Sequence, residues 1–149
     1  MAPRIGIVYG SASDEAVMKE TAAVLEQFGV EYELQVMSAH RTPATVVAYA
    51  QAAAGRGLKV LIAGAGLAAH LAGAVAANTI LPVIGVPLDA GTLGGLDALL
   101  ATVQMPAGVP VATVAIGKHG AKNAGWLALQ ILALQDAALA DALRTRKSS

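Results

Sequence analysis

Apolar runs and glycine- or proline-rich breaks alternate along the whole chain, and their spacings predict strands alternating with helices. Arg4 to Tyr9 is a short apolar run stopped by Gly10, as expected of a buried strand. From Ser13 to Phe28, positions Val17, Thr21, Val24, Leu25 and Phe28 recur at three- and four-residue spacing. That predicts a helix closed by Gly29. Tyr32 to Met37 reads as a second strand. After the loop Ser38 to Pro43, a helix runs to about Ala54, with Pro43 in its first turn.

The second half repeats the alternation with smaller residues. Leu58 to Ala63 is a third strand, a Gly-Ala-Gly turn follows, and Ala68 to Ala77 is a helix. Pro82 to Val86 is a fourth strand, Gly91 to Gly95 a flexible loop, and Leu96 to Val103 a short helix. Val111 to Ala115 is the fifth strand. A long helix from about Ala121 to Leu134 and a helical tail to Leu143 complete the pattern, with Arg144 to Ser149 expected to fray. Five strands alternating with helices imply a parallel sheet covered on both faces, as one three-layer domain over residues 1–149. In such sheets ligands bind beyond the carboxyl ends of the strands.

Composition changes the picture in one respect. Hydrophobic residues are 56% of the chain and charged residues 13%, against about 25% charged in a typical domain. Either a membrane or further copies of the chain must cover much of the surface. The stretches 60–88 and 98–117 carry no formal charge and are long enough to span a bilayer. Glycines and prolines cut both, however, and neither has aromatic belts or a lysine/arginine bias. Self-association is the expectation. The start of the chain does not read as a signal peptide. Ten basic residues balance ten acidic ones and aromatics are 3%, so a nucleic-acid surface is not expected. With no cysteine there is no disulfide frame or thiolate nucleophile, which fits a reducing cytoplasm. The three histidines lack metal-ligand spacing.

Four loops can carry chemistry. Gly10-Ser11-Ala12-Ser13-Asp14 joins a strand to a helix start, where free N–H groups attract an anion. It equally fits a capping box, Ser11 with Asp14. Ser38-Ala39-His40-Arg41-Thr42-Pro43 offers a guanidinium fork for phosphate and an imidazole that exchanges a proton near neutral pH. A capped surface loop is the plainer alternative. In the stretch 64–73, glycines and alanines let backbone approach a flat ligand, and His70 is either a ligand contact or a packed core histidine. Gly117-Lys118-His119-Gly120 is a further anion site or an exposed turn. Trp126 with Leu127, Ile131 and Leu134 reads as helix packing.

Several of these segments carry a resemblance. Y-G-S-A-S-D (9–14), S-A-H-R-T-P (38–43), A-G-x-A-A-H-L-x-G ending at Gly73, P-V-I-G-V-P (82–87) and V-Q-M-P-x-G-x-P-V-A-T-V-A-I-G (103–117) resemble the 5-(carboxyamino)imidazole ribonucleotide mutases of purine biosynthesis. The resemblance implies a flavodoxin-like, doubly wound five-stranded domain with a C-terminal helical extension, assembled as a homo-octamer and working without metal or organic cofactor. It implies that Ser11 and Asp14 hold the ribose side of a ribonucleotide. Ser13, Ser38 and Arg41 would hold the phosphate, and His40 would be the general acid/base. Gly64, Ala65, Ala68, His70 and Leu71 would line the pocket, with Ala69 suiting the same wall.

The chain departs from the family at Ala72, usually proline, at Ala98, usually serine, and at Lys118-His119. A sister class carboxylates aminoimidazole ribonucleotide directly; it has lysine where Arg41 stands and lacks the 103–117 pattern. Beside the mutase stand that carboxylase, a non-catalytic nucleotide-binding module, and a flavin carrier, which the lack of flanking aromatics disfavours.

Overall fold

A computed structural model describes residues 2–149. The chain forms β1 (Ile5–Tyr9), α1 (Glu15–Gln27), β2 (Tyr32–Val36), α2 (Pro43–Ala53), β3 (Val60–Gly66) and α3 (Leu71–Ala76). These are followed by β4 (Val83–Leu88), α4 (Leu96–Val103), β5 (Ala112–Thr113), α5 (Lys118–Ala133) and α6 (Ala137–Lys147). The five strands are parallel, in the order β2-β1-β3-β4-β5. This is the doubly wound, flavodoxin-like order, whose direction reverses beside β1. No helix among the described residues is long and apolar enough to cross a membrane.

Strand residues alternate between two cores, as period-two geometry requires. Ile5, Ile7, Ile62, Ile84 and Val86 pack against Met18, Leu25, Ala128 and Leu129 of α1 and α5. Val8, Leu61, Ala63 and Val83 pack on the other face against Val46, Tyr49 and Ala50 of α2 and Leu71 and Val75 of α3. Burial of so many aliphatic side chains, each contributing about 1.5–3 kcal/mol, is the main stabilising term.

The boundaries differ from the expected ones where small residues blur the pattern. Gly64 to Gly66 are not a turn: they pair with Val86, Pro87 and Leu88 and extend β3. β4 accordingly reaches Leu88. Its Pro87 is tolerated because two-residue β5 pairs only with Ile84 and Gly85. The helix expected from Ala68 begins at Leu71, because Leu67 adopts φ +57° and breaks the chain direction. A 3-10 turn over Ala12–Asp14 precedes α1. α5 begins at Lys118, earlier than expected. The tail stays helical to Lys147 rather than fraying at Arg144: Asp136 accepts from the Leu139 N–H at 3.0 Å, and Arg144, Arg146 and Lys147 sit in the last turn, where the helix dipole favours cations.

Candidate active site

The loops after β1, β2 and β3 leave the same edge of the sheet because Tyr9 lies in register with both Val36 and Gly64. They enclose an open cleft of ≈ 400 Å³. Ser11, Ser13 and Asp14 enter it from the first loop, Ser38, His40 and Arg41 from the second, and Ala65, Ala68, His70 and Leu71 from the third. Ten of the twelve residues singled out in the sequence therefore share one cavity. Gly64 does not reach it: it is buried inside β3, where any β-carbon would collide with Met18. Ala69 is also buried, outside the lining.

Each loop is shaped by its own hydroxyls. Ser11 Oγ accepts from the Ser13 N–H at 3.3 Å and shares a hydrogen bond with Ser13 Oγ at 3.0 Å. The plainer alternative, an N-cap at Ser11, is therefore formed, with the hydroxyl capping the Ser13 N–H while the Asp14 N–H donates to the Ser11 carbonyl at 2.9 Å. Burial pushes the Asp14 carboxyl above its ordinary value, a push that the Ser11 N–H partly opposes.

In the second loop Ser38 Oγ accepts from the N–H groups of both His40 and Arg41, at 3.3 and 3.1 Å. Thr42 Oγ1 accepts from the Ser38 N–H at 2.9 Å and donates to the Ser38 carbonyl at 3.2 Å. The capped-loop alternative is thus correct for the loop's local structure. The cap leaves His40 and Arg41 pointing outward, and among the described residues the Arg41 guanidinium makes no hydrogen bond or ion pair, so its planar fork is open to an anion.

His40 Nε2 lies 2.6 Å from His70 Nδ1, and the two rings are nearly perpendicular. His70 is exposed in the cleft and is not the packed core histidine of the plainer alternative. Two imidazoles bonded this way hold one shared hydrogen between a donor and an acceptor, an arrangement suited to passing a proton.

Behind the second loop stands a clamp. Glu33 of β2 accepts from Tyr49 Oη of α2 at 2.7 Å and pairs with Arg56 beyond α2, which also stacks over the Tyr49 ring at 5.7 Å. Burial pushes the Glu33 carboxyl up, but the bonds from Arg56 and Tyr49 win and hold it below its ordinary value. β2 and α2, which launch and receive the His40 loop, are thereby pinned together.

Gly66, in the glycine-alanine stretch, lines the cleft too, and sequence reasoning passed over Leu67 and Ala90, which also line it. Ala90 follows β4 and carries no polar signal. His119 is exposed and lies outside the lining, and Lys118 pairs with Glu20 at 3.3 Å, so that segment opens α5 as a charged turn. The departures Ala72 and Ala98 are both buried, away from the cleft. Among the described residues no three His, Asp or Glu side chains gather as a metal-binding group.

Residues 4–149 match the family model described as AIR carboxylase. The chain is 54% identical over 149 residues to the N5-carboxyaminoimidazole ribonucleotide mutase of Bacillus subtilis, covering 100% of this chain and 92% of that one. It is 61% identical over 130 residues to the enzyme of the same name from Mycobacterium tuberculosis, covering 87% and 74%. The crystal structure of Treponema denticola PurE superposes with a TM-score of 0.87 at 31% identity, covering 98% of this chain and 90% of that one.

Proposed function

The chain belongs to the AIR carboxylase family, and from that premise we propose that it is the mutase that moves the carboxylate of N5-carboxyaminoimidazole ribonucleotide from the exocyclic nitrogen to ring carbon C4. Relatives at 52–61% identity carry that name, and the chain is an enzyme of purine biosynthesis. Arg41, rather than lysine, and the Val103–Gly117 segment favour the mutase over direct carboxylation.

The observation that carries the reading is the position of the His40 imidazole: it shares a cleft with the hydroxyls of Ser11 and Ser13, the Asp14 carboxylate and the open Arg41 fork. Arg41, Ser13 and Ser38 hold the phosphate, Arg41 by paired charge-assisted bonds. Ser11 and Asp14 hold the ribose side, the carboxylate accepting from hydroxyls. His40 protonates the carbamate nitrogen, the N–C bond breaks, and carbon dioxide leaves the aminoimidazole. The C4 carbon attacks the gas, a C–C bond forms, and the C4 proton returns to His40, so the base is restored in each cycle. His70 orients that ring and shares its hydrogen. Positioned proton transfer of this type contributes about 10²–10⁴-fold. Holding the gas against the ring, between the small side chains of Ala65 and Ala68, supplies the rest. The residues need no metal or organic cofactor.

The enzyme works in the cytoplasm as a homo-octamer. In support of self-association, Leu96, Leu100 and Val103 on one face of α4 are 51%, 48% and 47% exposed, a stripe of the sort that marks an interface.

The test is a spectroscopic assay for ring-carboxylated product with purified protein. Product formed from the carbamate nucleotide without added bicarbonate is the expected outcome. Product formed only from aminoimidazole ribonucleotide and bicarbonate would defeat the mutase reading.

A further inference from the structure

Leu67 is the one described residue other than glycine with a left-handed backbone, φ +57°. A branched side chain in that region is strained, because its β-carbon crowds the following carbonyl. Such strain persists where surrounding structure over-determines it, and it gathers at functional sites. Leu67 is also 52% exposed, so burial in a core does not account for its conformation.

Its surroundings give a reason. Leu67 lies in the β3–α3 loop and lines the cleft that contains His40 and His70. Its side chain rests on Gly91 of the β4–α4 loop: a β-carbon at Gly91 would come within 2.5 Å of Leu67 Cδ2. Gly91 is itself left-handed, φ +74°. One residue earlier in each loop the contact repeats, since a β-carbon at Gly66 would lie 2.9 Å from that of Ala90. Gly66 and Ala90 both line the cleft as well. Two successive close approaches therefore fasten the β4–α4 loop to the cleft, and Leu67 forms the outer one. On its far side the same loop, with Gly91, Gly94 and Gly95 all left-handed, is packed at Gly95 against Ile116, so Leu67 is the side chain that holds its cleft-facing side at Gly91.

We propose that Leu67 is a positioning residue that closes the rim of the cleft and keeps the carbon dioxide released in the first half of the reaction from escaping before ring carbon C4 captures it. The proposal rests on the mutase reading, in which the N–C bond breaks to free the gas and the C4–C bond forms with loss of the C4 proton to His40. A neutral, weakly hydrated molecule is retained by an apolar wall rather than by a charge. Leu67 supplies a branched apolar group at the rim, and its left-handed backbone brings that group against Gly91.

The experiment follows the carboxyl carbon. Unlabelled carbamate nucleotide is converted by the full chain in ¹³C-bicarbonate buffer with carbonic anhydrase present, and the product carboxyl is analysed by mass spectrometry. Parent protein and Leu67→Met should incorporate little label. Leu67→Ala and Leu67→Gly should incorporate severalfold more, while the KM for the nucleotide stays close to that of the parent. Thermal melting supplies a second, independent sign. Leu67→Ala keeps the strained backbone and should melt below Leu67→Gly, the reverse of the usual order of the two residues. Equal retention of unlabelled carbon in all four proteins, or Leu67→Ala melting above Leu67→Gly, would overturn the proposal. Failure of the parent to form ring-carboxylated product would instead sink the mutase reading and this proposal with it.

Discussion

His40 Nε2 and His70 Nδ1 meet at 2.6 Å although thirty residues, with helix α2 and strand β3 among them, separate the two. The bond needs one bare nitrogen and one N–H, so it cannot persist with both rings doubly protonated. Replacing His40 with asparagine is expected to cost about 10²–10⁴-fold in kcat, the usual scale for a positioned acid/base. Nucleotide affinity should hardly change. His70→Asn should cost less, because the His40 imidazole stays in place and loses only its hydrogen-bond partner. Steady-state rates across pH for the two variants check both statements.

Arg41 should act on binding rather than on chemistry. A hydrogen bond to a charged group contributes about 1.5–3 kcal/mol, so Arg41→Ala should raise the nucleotide Kd by about 10–100-fold. With saturating substrate kcat should stay within a few-fold of the parent. Calorimetric titration beside saturation kinetics distinguishes this from a loss of fold.

Asp14 sets binding against stability. Burial raises its carboxyl above the ordinary value, so the folded protein holds this proton more tightly than the unfolded chain. Stability therefore falls as pH rises through the window between the two values. At neutral pH Asp14→Asn should melt slightly higher than the parent and bind the nucleotide less well. The melting advantage should shrink as pH falls below the carboxylate range. A pH series of melting curves tests the sign.

The clamp behind the His40 loop carries the opposite sign. Glu33 is held below its ordinary value, so its pairing contributes stability at neutral pH that is lost as pH falls through the folded value. Tyr49→Phe removes one donor to this half-buried carboxylate and should cost about 1 kcal/mol, roughly 2–4 °C in Tm for a chain of this size. It should also flatten the acid limb of the stability curve, which chemical denaturation at several pH values can follow.

The apolar stripe on α4 should report assembly. Leu100 is half exposed in the single chain, so Leu100→Glu should leave the protomer folded. The large species should dissociate, and with it activity should fall. Sedimentation velocity beside circular dichroism separates the two effects.

The sequence announced the elements with strong periodicity or firm stops: β1 before Gly10, α1 ending at Gly29, α2 opening on Pro43. It also announced the polar residues of the cleft, because His40, Arg41 and Asp14 stand out in a chain with few charges. Small residues hid the rest. Gly64 to Gly66 look like a turn locally and become strand only because β4 lies alongside to pair with them. Leu67 looks like the residue leading into the alanine-rich helix expected from Ala68, and nothing in its neighbours signals φ +57°. Ala90 joins the cleft by tertiary approach alone. The His40–His70 bond was equally silent, since its two loops meet only once β1 and β3 pair.

Tyr9 pairs with Val36 on one side and Gly64 on the other, while Ile7 and Val8, two places and one place upstream, face opposite cores. One inserted residue in β1 would exchange those two side chains between the helical layers and, in the same movement, carry Ser11 and Asp14 out of step with the imidazoles. The chemistry thus takes its alignment from the hydrophobic lock of the first strand, and a lineage that drifted in that strand's length would lose its fold and its reaction in a single event.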